Sequence, residues 1–102
     1  MMKGRHLQKA DKDRFKIMAD IGCIICRKFL GIWGPCEIHH TDGKTKGGAH
    51  QATLGLCFLH HREGSDNQQY TSRHPHKAKF EERYGTEAEL LEYQNKLIKE
   101  YG

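Results

Sequence analysis

The sequence predicts a small α+β fold in which a metal-stapled core of two strands and one short helix is flanked by helices at both ends of the chain. Three observations predict it. Cys23-x-x-Cys26 is matched by Cys57-x-x-His60, two half-sites with the spacing of a zinc knuckle; two short alternating stretches, 36–40 and 52–56, bracket a glycine-rich loop; and helical apolar periodicity marks 11–21 and 86–101. At 102 residues, 36% of them apolar, the chain can bury only one small core, and a bound metal would help to hold it. We read residues 1–102 as a single domain.

Residues 1–9 lack apolar periodicity and read as a mobile basic arm. From Asp11 to Ile21 the residues Phe15, Met18 and Ile21 recur every three positions, with Ile17 and Ala19 broadening the stripe, and Gly22 stands just past the helix end. Cys23 to Cys26 reads as a tight turn. The following loop should pack beneath it, covered by Phe29, Leu30, Ile32 and Trp33. In the first strand Glu37 and His39 share one face while Ile38 and His40 share the other. Residues 42–50 are loop by composition, 52–56 form the antiparallel partner strand, and a short helix runs from Cys57 until Gly64. Residues 65–72 read as a polar surface loop, Pro75 suits the first turn of a helix over 76–84, and Thr86 with Glu89 forms a capping box. Leu90, Leu91, Leu97, Ile98 and Tyr101 line one face of the last helix.

No apolar run approaches the roughly 20 residues that span a bilayer, and the opening residues MMKGRHLQKADKDR lack the apolar segment of a signal peptide, so a cytoplasmic location is expected. In a reducing compartment the four cysteines are metal ligands or inert thiols rather than disulfides. The net charge of +4 is unevenly spread: residues 1–28 hold eight Lys/Arg against three Asp, and residues 81–102 hold three against six Glu. A basic end beside a metal site suggests a polyanionic partner, nucleic acid first, although solvated surface explains so small a charge equally well.

Zinc takes four soft or borderline ligands at tetrahedral corners, which Cys23, Cys26, Cys57 and His60 supply, with His61 or Cys36 as rivals for the fourth place. A redox dithiol is the competing reading, disfavoured because no helix is expected to begin between Cys23 and Cys26. Seven of the eight histidines fall between residues 39 and 76, too many for chance placement on a surface. Neighbouring histidines on a strand face opposite ways, so His39 and His40 should do different jobs, one binding a cation and one free to take a proton from water.

The order Cys-x-x-Cys, a strand ending in His-His, a loop, a second strand and Leu-Cys-x-x-His-His resembles the zinc-stapled HNH endonucleases over residues 22–64. More narrowly, the runs IHHTDGKTKGGAH, LGLCFLHH and HPHKAKFEERYGTEAELL resemble the bacteriophage recombination enhancement function family, RecA-dependent nucleases of the HNH type. The resemblance implies a treble-clef-like ββα-metal core with a structural Zn²⁺ and a catalytic divalent cation, Mg²⁺ or Mn²⁺ in function even where a crystal holds zinc. It implies His39 and His61 as ligands of that cation and His40 as the general base of phosphodiester hydrolysis. The chain departs from the pattern twice. Ala52 stands where the middle Asn usually orients the base, with His50 as a substitute, and Ser65 stands at the usual last ligand, with His74 as replacement and Asp66 as its rival. Lys44, Lys46, Arg62 and Lys77 would meet DNA phosphates. The implied setting is phage recombination in the host cytoplasm, as a monomer acting on DNA with a RecA filament. A non-catalytic zinc module that binds nucleic acid is the alternative; it leaves His39, His40 and His61 unexplained.

Overall fold

The computed structural model describes residues 8–41 and 52–101, so Lys44, Lys46 and His50 lie outside the described residues. In order, the elements are α1 (Lys9–Ile21), a π-helical turn (Cys26–Leu30), β1 (Glu37–His40), β2 (Thr53–Leu56), α2 (Phe58–His61), α3 (Lys77–Tyr84) and α4 (Glu87–Tyr101). The fold is thus a small α+β arrangement of helices around a two-stranded sheet.

Helix α1 begins at Lys9, inside the stretch expected to be an arm, because Gln8 and Asp11 exchange capping hydrogen bonds across its first turn. Met18 and Ile21 are buried as the periodicity predicts, but Ala19 is exposed and Arg14 is buried in its stead. Gly22 ends the helix at φ 79°, its N–H bonded to the Met18 carbonyl. A helical turn begins at Ile24 directly after Cys23, contrary to the expected tight turn. The element before Cys23 is helix α1 and not a strand, so the strand-to-helix context of a redox dithiol is absent, and both thiols of the pair stand beside Cys57 and His60. The cover expected from Phe29, Leu30, Ile32 and Trp33 is partial: these residues are 45–61% exposed, with Phe29 against Tyr84 and Trp33 bonded to the Asp20 carbonyl, while Ile24 and Ile25 of the helical turn are wholly buried.

Strands β1 and β2 pair antiparallel, with Glu37 opposite Leu56, Ile38 opposite Gly55, His39 opposite Leu54 and His40 opposite Thr53. Directly paired residues share a face, so the sheet sorts Glu37 and His39 from Ile38 and His40. Thr53, on the His40 face, meets α1 through Arg14 and Met18. The other face joins the core formed by Leu54, Leu56, Phe80, Tyr84, Leu90 and Leu97.

Between α2 and α3 the chain is less superficial than its polarity suggests. Thr71 and Ser72 are buried; Thr71 N–H reaches the Tyr84 hydroxyl and the Ser72 hydroxyl reaches the Leu59 carbonyl. Pro75 precedes α3, whose N-cap is His76, and the His74–Pro75 peptide is cis. Thr86 and Glu89 form the expected capping box. On α4, Leu90 and Leu97 are buried and Leu91 and Ile98 pack against the core, whereas Tyr101 is 48% exposed, out at the last turn where it meets Arg27. Gln94, wholly buried between the leucines, accepts a hydrogen bond from the Gly55 N–H at 2.8 Å and so ties α4 to β2.

Candidate functional site

Among the described residues, two groups of side chains bring potential ligand atoms within 4.8 Å of one another: Cys23, Cys26, Cys57 and His60, and His39, His61 and His74. The first is buried. All four cysteines are free thiols, and the Cys26 and Cys57 sulfurs stand 3.8 Å apart, too far for a disulfide. Zn–S bonds of about 2.3 Å and Zn–N bonds of about 2.0–2.1 Å make tetrahedron edges of about 3.8 Å between sulfurs and about 3.6 Å from sulfur to nitrogen. His60 Nδ1 lies 3.8, 3.7 and 3.1 Å from the sulfurs of Cys23, Cys26 and Cys57. The donor set fits a zinc ion, as do the distances of His60 Nδ1 to Cys23 and Cys26, the one to Cys57 being shorter than a tetrahedral edge. The Cys23 thiol bonds toward Cys57, which with burial pushes Cys23 up and, assisted by His60, brings Cys57 down. One sulfur of the cluster is accordingly a ready thiolate.

Local structure explains how adjacent residues divide between the groups. Cys57 is the N-cap of α2 and His60 follows within one turn, so both address the same point. His61, one residue on, is rotated by about 100° around the helix and leaves the cysteines. Its ring centroid lies 5.2 Å from that of His39, which β1 presents on the same face as Glu37, and 5.3 Å from that of His74. His74 is delivered by backbone bonds: Arg73 N–H to the His60 carbonyl at 2.9 Å and His74 N–H to the His61 carbonyl at 2.8 Å. The trio thus draws on three separate segments, with His39 buried, His61 half-buried and His74 exposed. Burial lowers the pKa of both His61 and His74 below the ordinary histidine range, against the Glu37 bond in His61 and reinforced by Arg73 in His74. Both shifts favour the neutral imidazole, the form that binds a metal ion.

Two carboxylates stand behind this trio. Glu37 Oε1 is 2.8 Å from His61 Nδ1 and is gripped by Arg62, whose hydrogen bond, together with that from His61, holds the carboxyl at about 2. Glu87 Oε2 is 2.6 Å from His39 Nε2 and accepts from Arg73 Nε. Burial opposes ionisation of Glu87, yet these two partners bring it down to about 2.

Of the other expected site residues, His40 lies on the opposite face of β1 from His39, its ring edge-on to Phe15 with centroids 6.4 Å apart. Arg62 is engaged in the ion pair with Glu37, and Lys77 is exposed at the first position of α3. Asp66 is turned away from the trio, bonded to Thr71 Oγ1 and Lys79. Cys36 lies outside the buried cluster, its Sγ 3.4 Å from the Met18 carbonyl, and the Ala52 carbonyl accepts from the N–H and hydroxyl of Thr41. The sequence reading missed Glu37, Glu87 and Arg73. Glu37 carried a signal, two residues before His39 on one strand face, whereas Glu87 is 48 residues from its partner and carried none.

The family model described as recombination enhancement, RecA-dependent nuclease matches residues 8–99, which include both side-chain groups. No curated protein matches the chain. The match spans nearly the whole sequence, and the chain therefore belongs to the recombination enhancement, RecA-dependent nuclease family.

Proposed function

We propose that the protein is a metal-dependent DNA endonuclease of the HNH type that hydrolyses phosphodiester bonds in RecA-dependent recombination. The observation that carries this reading is the convergence of His39, His61 and His74 from three segments beside a separate buried Cys₃His cluster. A three-imidazole face with one exposed member is the donor set of an open, working metal site, whereas a closed four-ligand cluster is that of a structural one.

Cys23, Cys26, Cys57 and His60 hold a structural zinc, which fixes α2 against the turn that follows α1. His39, His61 and His74 hold a divalent cation, Mg²⁺ or Mn²⁺ in function. When bound, that cation supplies Lewis acidity to the phosphoryl group and the departing oxygen. His40 takes the proton from the attacking water. His50 is the residue proposed to orient it. Lys44, Lys46, Arg62 and Lys77 meet backbone phosphates, which position DNA without reading its sequence.

A nicking assay tests the reading. Purified protein is incubated with single-stranded and duplex DNA, with and without RecA and ATP, in Mg²⁺ or Mn²⁺. Metal-dependent strand cleavage is expected. Protein that binds DNA in every condition and cuts in none would instead be a non-catalytic zinc module.

A further inference from the structure

Two of the three histidines of the trio are backed by the same device, built twice from unrelated segments. In one copy Arg73 Nε donates to Glu87 Oε2 at 2.5 Å, and that oxygen lies 2.6 Å from His39 Nε2. In the other, Arg62 holds Glu37 through Nε at 2.9 Å and a terminal nitrogen at 2.8 Å, and Glu37 Oε1 lies 2.8 Å from His61 Nδ1. His74 differs: among the described residues no carboxylate is bonded to it, and its Nδ1 faces Arg73 at 3.4 Å.

We propose that Glu87 and Glu37 are positioning residues that act through His39 and His61 to set the metal affinity of the trio; this rests on the reading of the trio as the working metal site. A carboxylate that accepts the proton of one ring nitrogen fixes the tautomer and leaves the lone pair on the other. Glu87 thereby assigns His39 Nδ1 as the ligand atom, and Glu37 assigns His61 Nε2. Each also makes its imidazole a stronger donor. The arginines hold the carboxylates behind the ligands. Both oxygens of Glu37 are occupied by Arg62 or His61, so Glu37 supports a ligand instead of becoming one. His74 remains the loosely held corner, exposed and beside a cation. The two copies differ in strength. Side-chain exposure is 4% for His39, 11% for Glu87 and 14% for Arg73, but 32% for Glu37 and 58% for Arg62. Water screens the second chain of contacts more, so Glu87 carries the larger effect.

The test is calorimetric titration with Ni²⁺ of the 102-residue chain already carrying one zinc. Wild type should take up one Ni²⁺ per chain. Glu87→Gln should bind it roughly 10–100-fold more weakly and Glu37→Gln several-fold more weakly, with zinc content still one per chain. In the nicking assay Glu87→Gln should lose kcat while KM for DNA holds. Ni²⁺ affinity within twofold of wild type in the folded variants would overturn the proposal, even if their thermal midpoints fall, since that pattern marks a packing role alone. If Glu87→Gln does not fold, Glu37→Gln decides the matter on the same criterion. A wild-type protein that takes up no Ni²⁺ beyond its zinc would overturn the metal-site reading itself, and the positioning role with it.

Discussion

His60 and His61 are consecutive on α2, yet His60 Nδ1 stands 3.1 Å from Cys57 Sγ while His61 Nδ1 stands 2.8 Å from Glu37 Oε1. One helical step therefore links the buried cluster to the imidazole trio. The coupling runs through the backbone, because the short helix that carries both side chains sets where each ring starts. Loss of the first site should then misplace a ligand of the second.

Replacing Cys26 by Ser tests that dependence at its source. Cys26 is buried beside Cys57 and His60, and structural zinc contributes folding free energy outright. The variant should lose its zinc and unfold, as should wild type treated with a strong chelator, with loss of the cooperative transition in circular dichroism. A stable, zinc-free Cys26→Ser protein would show that packing alone holds the fold.

His40→Ala separates base from ligands. His40 faces α1 and belongs to neither metal group, so the variant should keep one zinc, keep Ni²⁺ uptake by the trio and keep DNA binding. Cleavage should fall by about 10²–10⁴-fold, the usual contribution of a positioned general base. Undiminished cleavage would place the base elsewhere.

What could be read from the sequence follows the range of the interactions. The knuckle spacing and the alternation of β1 are local, and the structure places Cys23, Cys26, Cys57 and His60 together and sets His39 and His40 on opposite faces. Glu87, Arg73 and Arg14 act on partners fixed only by the tertiary fold, and no period or spacing announces them. Phe29, Leu30, Ile32 and Trp33 are only half covered, since apolar character alone does not decide burial, and Ile24 and Ile25 are the residues that lie wholly inside.

Arg14 is the buried charge that joins three elements. Its guanidinium donates to Thr53 Oγ1 at 2.9 Å, to the Thr53 carbonyl at 2.7 Å and to Asn95 Oδ1 at 2.7 Å. Burial lowers its pKa, so the ion is held by these bonds in a place that disfavours it. Arg14→Ala leaves the acceptors on β2 and α4 without their donor and should cost about 2–3 kcal/mol in urea unfolding of the zinc-loaded protein. A change below about 0.5 kcal/mol would mean that water replaces the guanidinium without loss.

Gly22 and Gly31 offer a controlled comparison on either side of the first knuckle. Both have positive φ, 79° and 66°. A Cβ at Gly31 meets nothing within 4 Å, so Gly31→Ala should cost only the left-handed penalty of about 1–2 kcal/mol. A Cβ at Gly22 would stand 2.4 Å from the Gly34 carbonyl oxygen, which accepts the Cys23 N–H at 2.8 Å. Relief would require displacing the backbone that seats Cys23, and the ψ of −161° at Gly22 is itself a region reserved for glycine. Gly22→Ala should therefore be the more destabilising of the two by at least about 2 kcal/mol and should weaken zinc retention against a competing chelator, whereas Gly31→Ala should retain zinc as wild type does. Equal zinc retention by the two variants would show that the knuckle tolerates movement of Cys23.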